Sequence, residues 1–190
     1  MQCIRCGHEN PEGTKVCSGC QARLLRLAPT GVPNQSVAIE EGREYLAPQI
    51  NYETVHLMTL FEVVELFLDD GVDPEAVMAE IEAHRARLDA YEAGPLPDSL
   101  SLLAQEAQRL PADDFHTQVS YLLKKGVGLY RQGLDNLTLA LEEAETEEPF
   151  VEACQALQDG NNHICLGLEL MDERQKQLEE ILEKHPGRHE

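Results

Sequence analysis

Four cysteines stand near the start of the chain as two CxxC pairs, Cys3 with Cys6 and Cys17 with Cys20, separated by ten residues. Thiolates in paired knuckles of this spacing converge on one divalent ion in tetrahedral geometry, and the chemistry they predict is zinc ligation. All four positions are sulfur, which leaves no ligand position for a water or a substrate, so the predicted role of a single Zn²⁺ is structural rather than catalytic. Iron, or redox use of the CxxC pairs, is the competing reading of the same spacing. A segment this short cannot bury enough apolar surface to offset its ordering entropy. The metal supplies the difference, roughly 10–16 kcal/mol in comparable peptides.

Cys3, Cys6, Gly7, Asn10, Pro11, Gly13, Cys17 and Cys20 together write the pattern CxxCGxxNPxGxxxCxxC, with Leu24 beyond it. In these residues the segment resembles the small bacterial and archaeal zinc-ribbon domains that often begin a protein. The resemblance covers residues 1–25, with Gln21 where members typically have glycine. It implies a zinc-stabilised β-hairpin ribbon of the kind fused to varied partners, and it implies no activity.

Charge separates this segment from the rest of the chain. Residues 1–27 sum to +2, within a 190-residue chain of formal charge −20. Four thiolates and one zinc ion contribute about −2, so the loaded ribbon is close to neutral. Direct binding of nucleic acid is therefore disfavoured: a duplex repels the acidic remainder, and the ribbon has neither a dense Lys/Arg patch nor an aromatic side chain for base stacking. The longest apolar-rich stretch, residues 50–70, is interrupted by Glu53, His56, Glu62 and Glu65, which argues against a membrane span. With no charged and apolar leader pattern before Cys3, the expected location is the cytoplasm, where CxxC pairs stay reduced and ligate metal.

The elements expected to follow are helices. Residues 28–36, APTGVPNQS, read as a linker. An acidic all-α domain is expected over 37–185, with a flexible tail at 186–190. Within it the spacing predicts a short helix from Val37 to Leu46, a second from Asn51 to Asp69 that is apolar around most of its circumference, and a third from Asp73 to Tyr91. A shorter helix follows over Ser99 to Arg109. Two long helices, Asp114 to Ala144 and Glu148 to Lys184, should form an antiparallel hairpin. The last carries a heptad seam at Phe150, Cys154, Leu157, Asn161, Ile164, Leu168, Met171, Gln175, Leu178 and Leu182. Its partner stripe is Phe115, Val119, Leu122, Gly126, Leu129, Gly133, Leu137 and Ala140, where the glycines point to close helix approach or a bend.

Other constellations carry weaker chemistry. Glu53 with His56, and Asp113 with His116, have the spacing used by carboxylate-bridged di-metal bundles, but the set of ligands is incomplete. Cys154 and Cys165 lie three helical turns apart and read as small buried side chains rather than a second site. Asn161 and Gln175 interrupt the seam, either to fix register or where the seam opens to water. His8, His84, His163, His185 and His189 have polar neighbours and are expected at the surface. Neither a nucleophile elbow nor a phosphate loop, dinucleotide glycine pattern or HExxH motif occurs, so a non-enzymatic protein is expected.

The reading that results is a zinc-binding interaction or scaffold protein with a protein partner, and the C-terminal helices offer a route to a homodimer. A transcription-linked or nucleic-acid-associated zinc-ribbon factor is the alternative. A di-metal helical-bundle enzyme comes third.

Overall fold

The computed structural model describes residues 8, 9, 11, 18, 19, 38–40, 43–48, 51–107 and 115–184. The predicted ribbon ligands, the linker and the tail lie outside the described residues. What is described is a helical body preceded by one short hairpin.

The segment expected as a helix over Val37 to Leu46 is instead two antiparallel strands, β1 (Ala38–Glu40) and β2 (Arg43–Tyr45), in the register Ala38↔Tyr45, Ile39↔Glu44 and Glu40↔Arg43. Two effects outweigh the helical reading. An isolated helix of ten residues is marginal, and Gly42 within it costs about 1 kcal/mol relative to alanine. The strands are held by partners remote in sequence: the Tyr45 ring stacks on Tyr121 with centroids 3.9 Å apart, and the Leu46 amide donates to Gln118 Oε1 at 2.7 Å.

Helix α1 (Val55–Leu68) packs against two later helices, Pro74–Ala93 and Glu148–Lys184, and buries Leu57, Leu60, Phe61 and Val64. Its end is set by a Schellman motif in which Asp70, at φ 56°, takes the left-handed position. The Asp70 amide donates to Phe67 O and the Gly71 amide to Leu66 O. Helix α2 (Pro74–Ala93) starts as expected, with Asp73 at the N-cap and Pro74 as its first residue. Helix α3 (Pro95–Ala107) begins four residues before the expected Ser99. Gly94 ends α2, and Pro95, whose fixed φ suits a first helical position, starts α3 at once; the proline-rich corner is a junction rather than a loop.

Helices α4 (Phe115–Glu143) and α5 (Glu148–Lys184) form the expected hairpin and share the most extensive contact in the body. Their backbones approach so closely that glycine is required at the crossing. A Cβ on Gly126 would lie 2.8 Å from the Gly160 carbonyl oxygen, one on Gly133 3.0 Å from the Ala153 oxygen, and one on Gly160 2.5 Å from the Tyr130 nitrogen. The close approach expected of Gly126 and Gly133 is therefore present; on α5, Gly160 meets the α4 backbone, while Gly167 makes room for the Leu123 side chain. The seam departs from a strict heptad beyond Ile164. Gly167 is buried while Leu168 is exposed, because a straight α-helix drifts by about 20° per heptad relative to a 3.5-residue repeat.

Helices α2 and α4 are joined at the surface by crossed ion pairs. Arg85 reaches Asp135 at 2.9 Å, and Arg131 reaches Asp89 at 2.8 Å together with Glu92. Exposed pairs of this kind contribute little individually.

Candidate functional site

Cys3, Cys6, Cys17 and Cys20 lie outside the described residues. Among the described residues no group of three or more His, Cys, Asp or Glu side chains could hold a metal ion. Glu53 and His56 are both exposed at the start of α1, and His116 is buried at the start of α4, its ring edge-on to Phe115. Asp113 lies outside the described residues, and Glu53, His56 and His116 form no metal-holding group among the described ones.

Cys154 is fully buried, and burial pushes its thiol up to about 12. Cys165 is half-buried, with Sγ 3.8 Å from Asn161 Oδ1; desolvation first, and then the Glu169 carboxylate, raise its pKa. Both are therefore thiols at neutral pH, and Cys154 belongs to the apolar core.

The densest polar arrangement lies where the chain enters the body, at Asn51 to Thr54. Three amide side chains of α5 grip this segment. Asn162 Oδ1 accepts from the Tyr52 amide at 2.8 Å, while Asn161 Nδ2 and Gln158 Nε2 donate to the Tyr52 carbonyl at 2.7 and 3.1 Å. Asn162 Nδ2 donates to Asn51 Oδ1 at 2.9 Å, Thr54 Oγ1 donates to Asn161 Oδ1 at 3.2 Å, and the Tyr52 hydroxyl donates to Glu169. The amides replace the hydrogen bonds that this non-helical backbone would otherwise lose on burial. Asn161 thus acts within one chain: 6% exposed, it holds the entry segment rather than serving an open seam. Gln175 is exposed and donates to Glu179 on its own helix, where the seam meets water.

A second node corrects the surface placement of His84, which is 2% exposed. Its Nε2 lies 3.2 Å from the His56 carbonyl, which can only accept, so Nε2 carries the proton and Nδ1 accepts from the Tyr130 hydroxyl at 2.7 Å. This neutral ring joins α1, α2 and α4. Desolvation, with Arg87 adding to it, lowers the His84 pKa to about 4. His163 is half-buried, and its Nδ1 donates to the Asp159 carbonyl at 2.7 Å, whereas His8 is exposed as expected. His185 and His189 lie outside the described residues.

Sequence reasoning missed Gln158, Asn162 and Gln118 as positioning residues. A signal was present in the first two: with Asn161 they place three amide side chains within five residues, about one turn of α5, at the spacing of one helix face. Hollows among the described residues include three. One, of about 490 Å³, lies between β2, α3 and α4 and is lined in part by Tyr45, Leu103, His116 and Lys124. The other two flank the α4–α5 turn, at about 390 and 270 Å³, and share Ala140 and Ala144.

No helix among the described residues is long and apolar enough to cross a membrane. Comparison with known proteins returns no matching family model, no matching curated protein and no matching solved structure.

Proposed function

We propose that the chain is a non-catalytic interaction protein of a reducing compartment such as the cytoplasm, in which a four-cysteine zinc ribbon and an acidic helical body each contribute a contact to a protein partner. The observation that carries this reading is the spacing of Cys3, Cys6, Cys17 and Cys20, a ligand set that closes around one ion without a position for water. The body supports it in a different way. The α4–α5 hairpin, interlocked through its glycines, is a stiff platform, and the α5 amides fix the point at which the chain leaves it.

Zinc freezes the short segment into one shape, and a rigid surface loses little entropy when it docks. The experiment is elemental analysis of the purified full chain, beside affinity capture from the native cell with the parent and with a variant carrying serine at all four cysteines. The parent should carry one zinc per chain, the variant none, and partners captured by the parent should be lost. A metal-free parent prepared under reducing conditions overturns the reading. Salt-dependent binding of DNA or RNA at the ribbon would replace it with a nucleic-acid-associated role.

A further inference from the structure

The end of the body at the α4–α5 turn combines a hollow of mixed apolar and polar lining with a field of one sign. The hollow of about 390 Å³ is lined by Leu139, Ala140, Ala144 and Pro149 together with Glu143 and Glu152. Leu139 is 51% exposed on α4, and Val151, one turn into α5, is 42% exposed. Leu139 is both exposed and part of the lining, so the concave surface itself offers an aliphatic contact.

The charge around them selects the kind of partner. Residues 132–173 include eleven Asp and Glu and no Lys or Arg, and residues 44–84 include ten and none. The fold brings these two spans together at this end. Phe67 of α1 lies 5.7 Å from Phe150 of α5, and Asp70 lines the neighbouring hollow with Glu145. Glu142, Glu143, Glu145, Glu148 and Glu152 are all exposed there. Of the four cations that border the two spans, Arg85 and Arg131 are engaged in the α2–α4 ion pairs. Arg174 lies over the Phe115 ring at the start of α4, away from the turn, and the fourth, Arg43, lies in β2. A partner with acidic side chains would meet uncompensated repulsion, whereas a basic one is steered in and then held by the apolar contact.

We propose that the hollow beside the α4–α5 turn receives an aliphatic side chain from a lysine- or arginine-rich segment of a partner protein. The proposal rests on the reading of this chain as an interaction protein and assigns the body's contact within it. The ribbon is a separate contact, so the two are tested apart.

The probes are two short fluorescein-labelled helical peptides of equal positive charge, one built of leucine and lysine and one of alanine and lysine. Each is titrated into the full zinc-loaded chain at physiological salt, with anisotropy as the readout. The leucine peptide should bind about tenfold more tightly than the alanine peptide, the difference expected from burying one aliphatic side chain. Leu139→Ser should abolish that difference, and the pair Glu143→Gln with Glu152→Gln should weaken both peptides. Asp98→Asn with Glu173→Gln removes the same charge elsewhere, Glu173 lying about 36 Å along α5 from Pro149, and should change either affinity by less than about twofold. All of these positions are exposed, so the helical body tolerates the changes. Equal affinity for the two peptides, or equal weakening by the remote pair, overturns the proposal. The four-serine variant, which lacks zinc, should keep the parent's affinity for the leucine peptide; its loss would move the contact to the ribbon and overturn the placement.

Discussion

Replacing Gly160 with alanine tests the packing on which the whole body depends. The added Cβ would lie 2.5 Å from the Tyr130 nitrogen, 2.8 Å from the Tyr130 Cα and 2.8 Å from the Gly126 carbonyl oxygen. These are backbone atoms and cannot rotate away. Ordinary contact for such atoms is about 3.5–4 Å, so α5 has to withdraw from α4 by about 1 Å at the crossing, and a gap of that size forfeits up to about half of each neighbouring van der Waals contact. Overpacking of this kind costs about 3 kcal/mol at the upper end of its usual range, against which alanine recovers about 1 kcal/mol of helix propensity. The net loss is about 2 kcal/mol, a fall in midpoint of about 4–8 °C for a chain of this size. Gly128 is the matched control on α4, because a Cβ there meets nothing within 4 Å. Gly128→Ala should raise the midpoint by about 2–4 °C, since only the propensity term acts. Thermal unfolding of the full chain, followed by the far-ultraviolet helical signal, reads both. A Gly160→Ala protein that melts at or above the parent would refute the close-approach argument.

Three further outcomes follow from the same structure. His84 has a folded pKa of about 4 against 6.5 for the free side chain, so its contribution is complete above pH 6.5 and is lost as pH falls from there towards 4; the parent should lose about 3 kcal/mol more over that interval in urea unfolding than His84→Gln. Parallel stability curves for the two proteins would remove His84 as the acid-sensitive group. Asn161→Ala leaves the Tyr52 carbonyl with Gln158 alone and should cost about 1–3 kcal/mol, with faster amide exchange at residues 52–55 as its local signature. Asp70→Gly relieves the left-handed residue at the end of α1 and should stabilise by about 0.5–1 kcal/mol in the same assay; a loss of stability would mean that the aspartate side chain contributes a bond of its own.

The helical body was readable because its signals are local. Asp73 and Pro74 mark the start of α2, and the turn after Glu143 and the apolar spacing of α4 and α5 define the hairpin to within a residue or so. The glycines were half readable: Gly126 and Gly133 fall on the stripe, but Gly160 lies one position off the heptad, where only the three-dimensional crossing reveals its need. The segment at 38–45 misled because its organising partner, Tyr121, is 76 residues beyond Tyr45 and nothing in the local pattern announces it. His84 misled for a related reason. Its neighbours in sequence, Glu82 and Arg85, are polar, but its ring lies on the opposite face of the helix. The amide grip on Tyr52 was invisible because what Asn161 and Gln158 recognise is a backbone carbonyl, which carries no sequence signature. The four cysteines are legible from spacing alone and lie outside the described residues.

The glycine crossings of α4 and α5 recur at intervals of seven residues, from Gly126 to Gly133 on one helix and from Gly160 to Gly167 on the other. Two helices meshed in this way behave as a toothed rack. A slip of one residue would drive a side chain into the opposing main chain at Gly126, Gly133 or Gly160, so the crossing fixes the register of the pair and resists sliding.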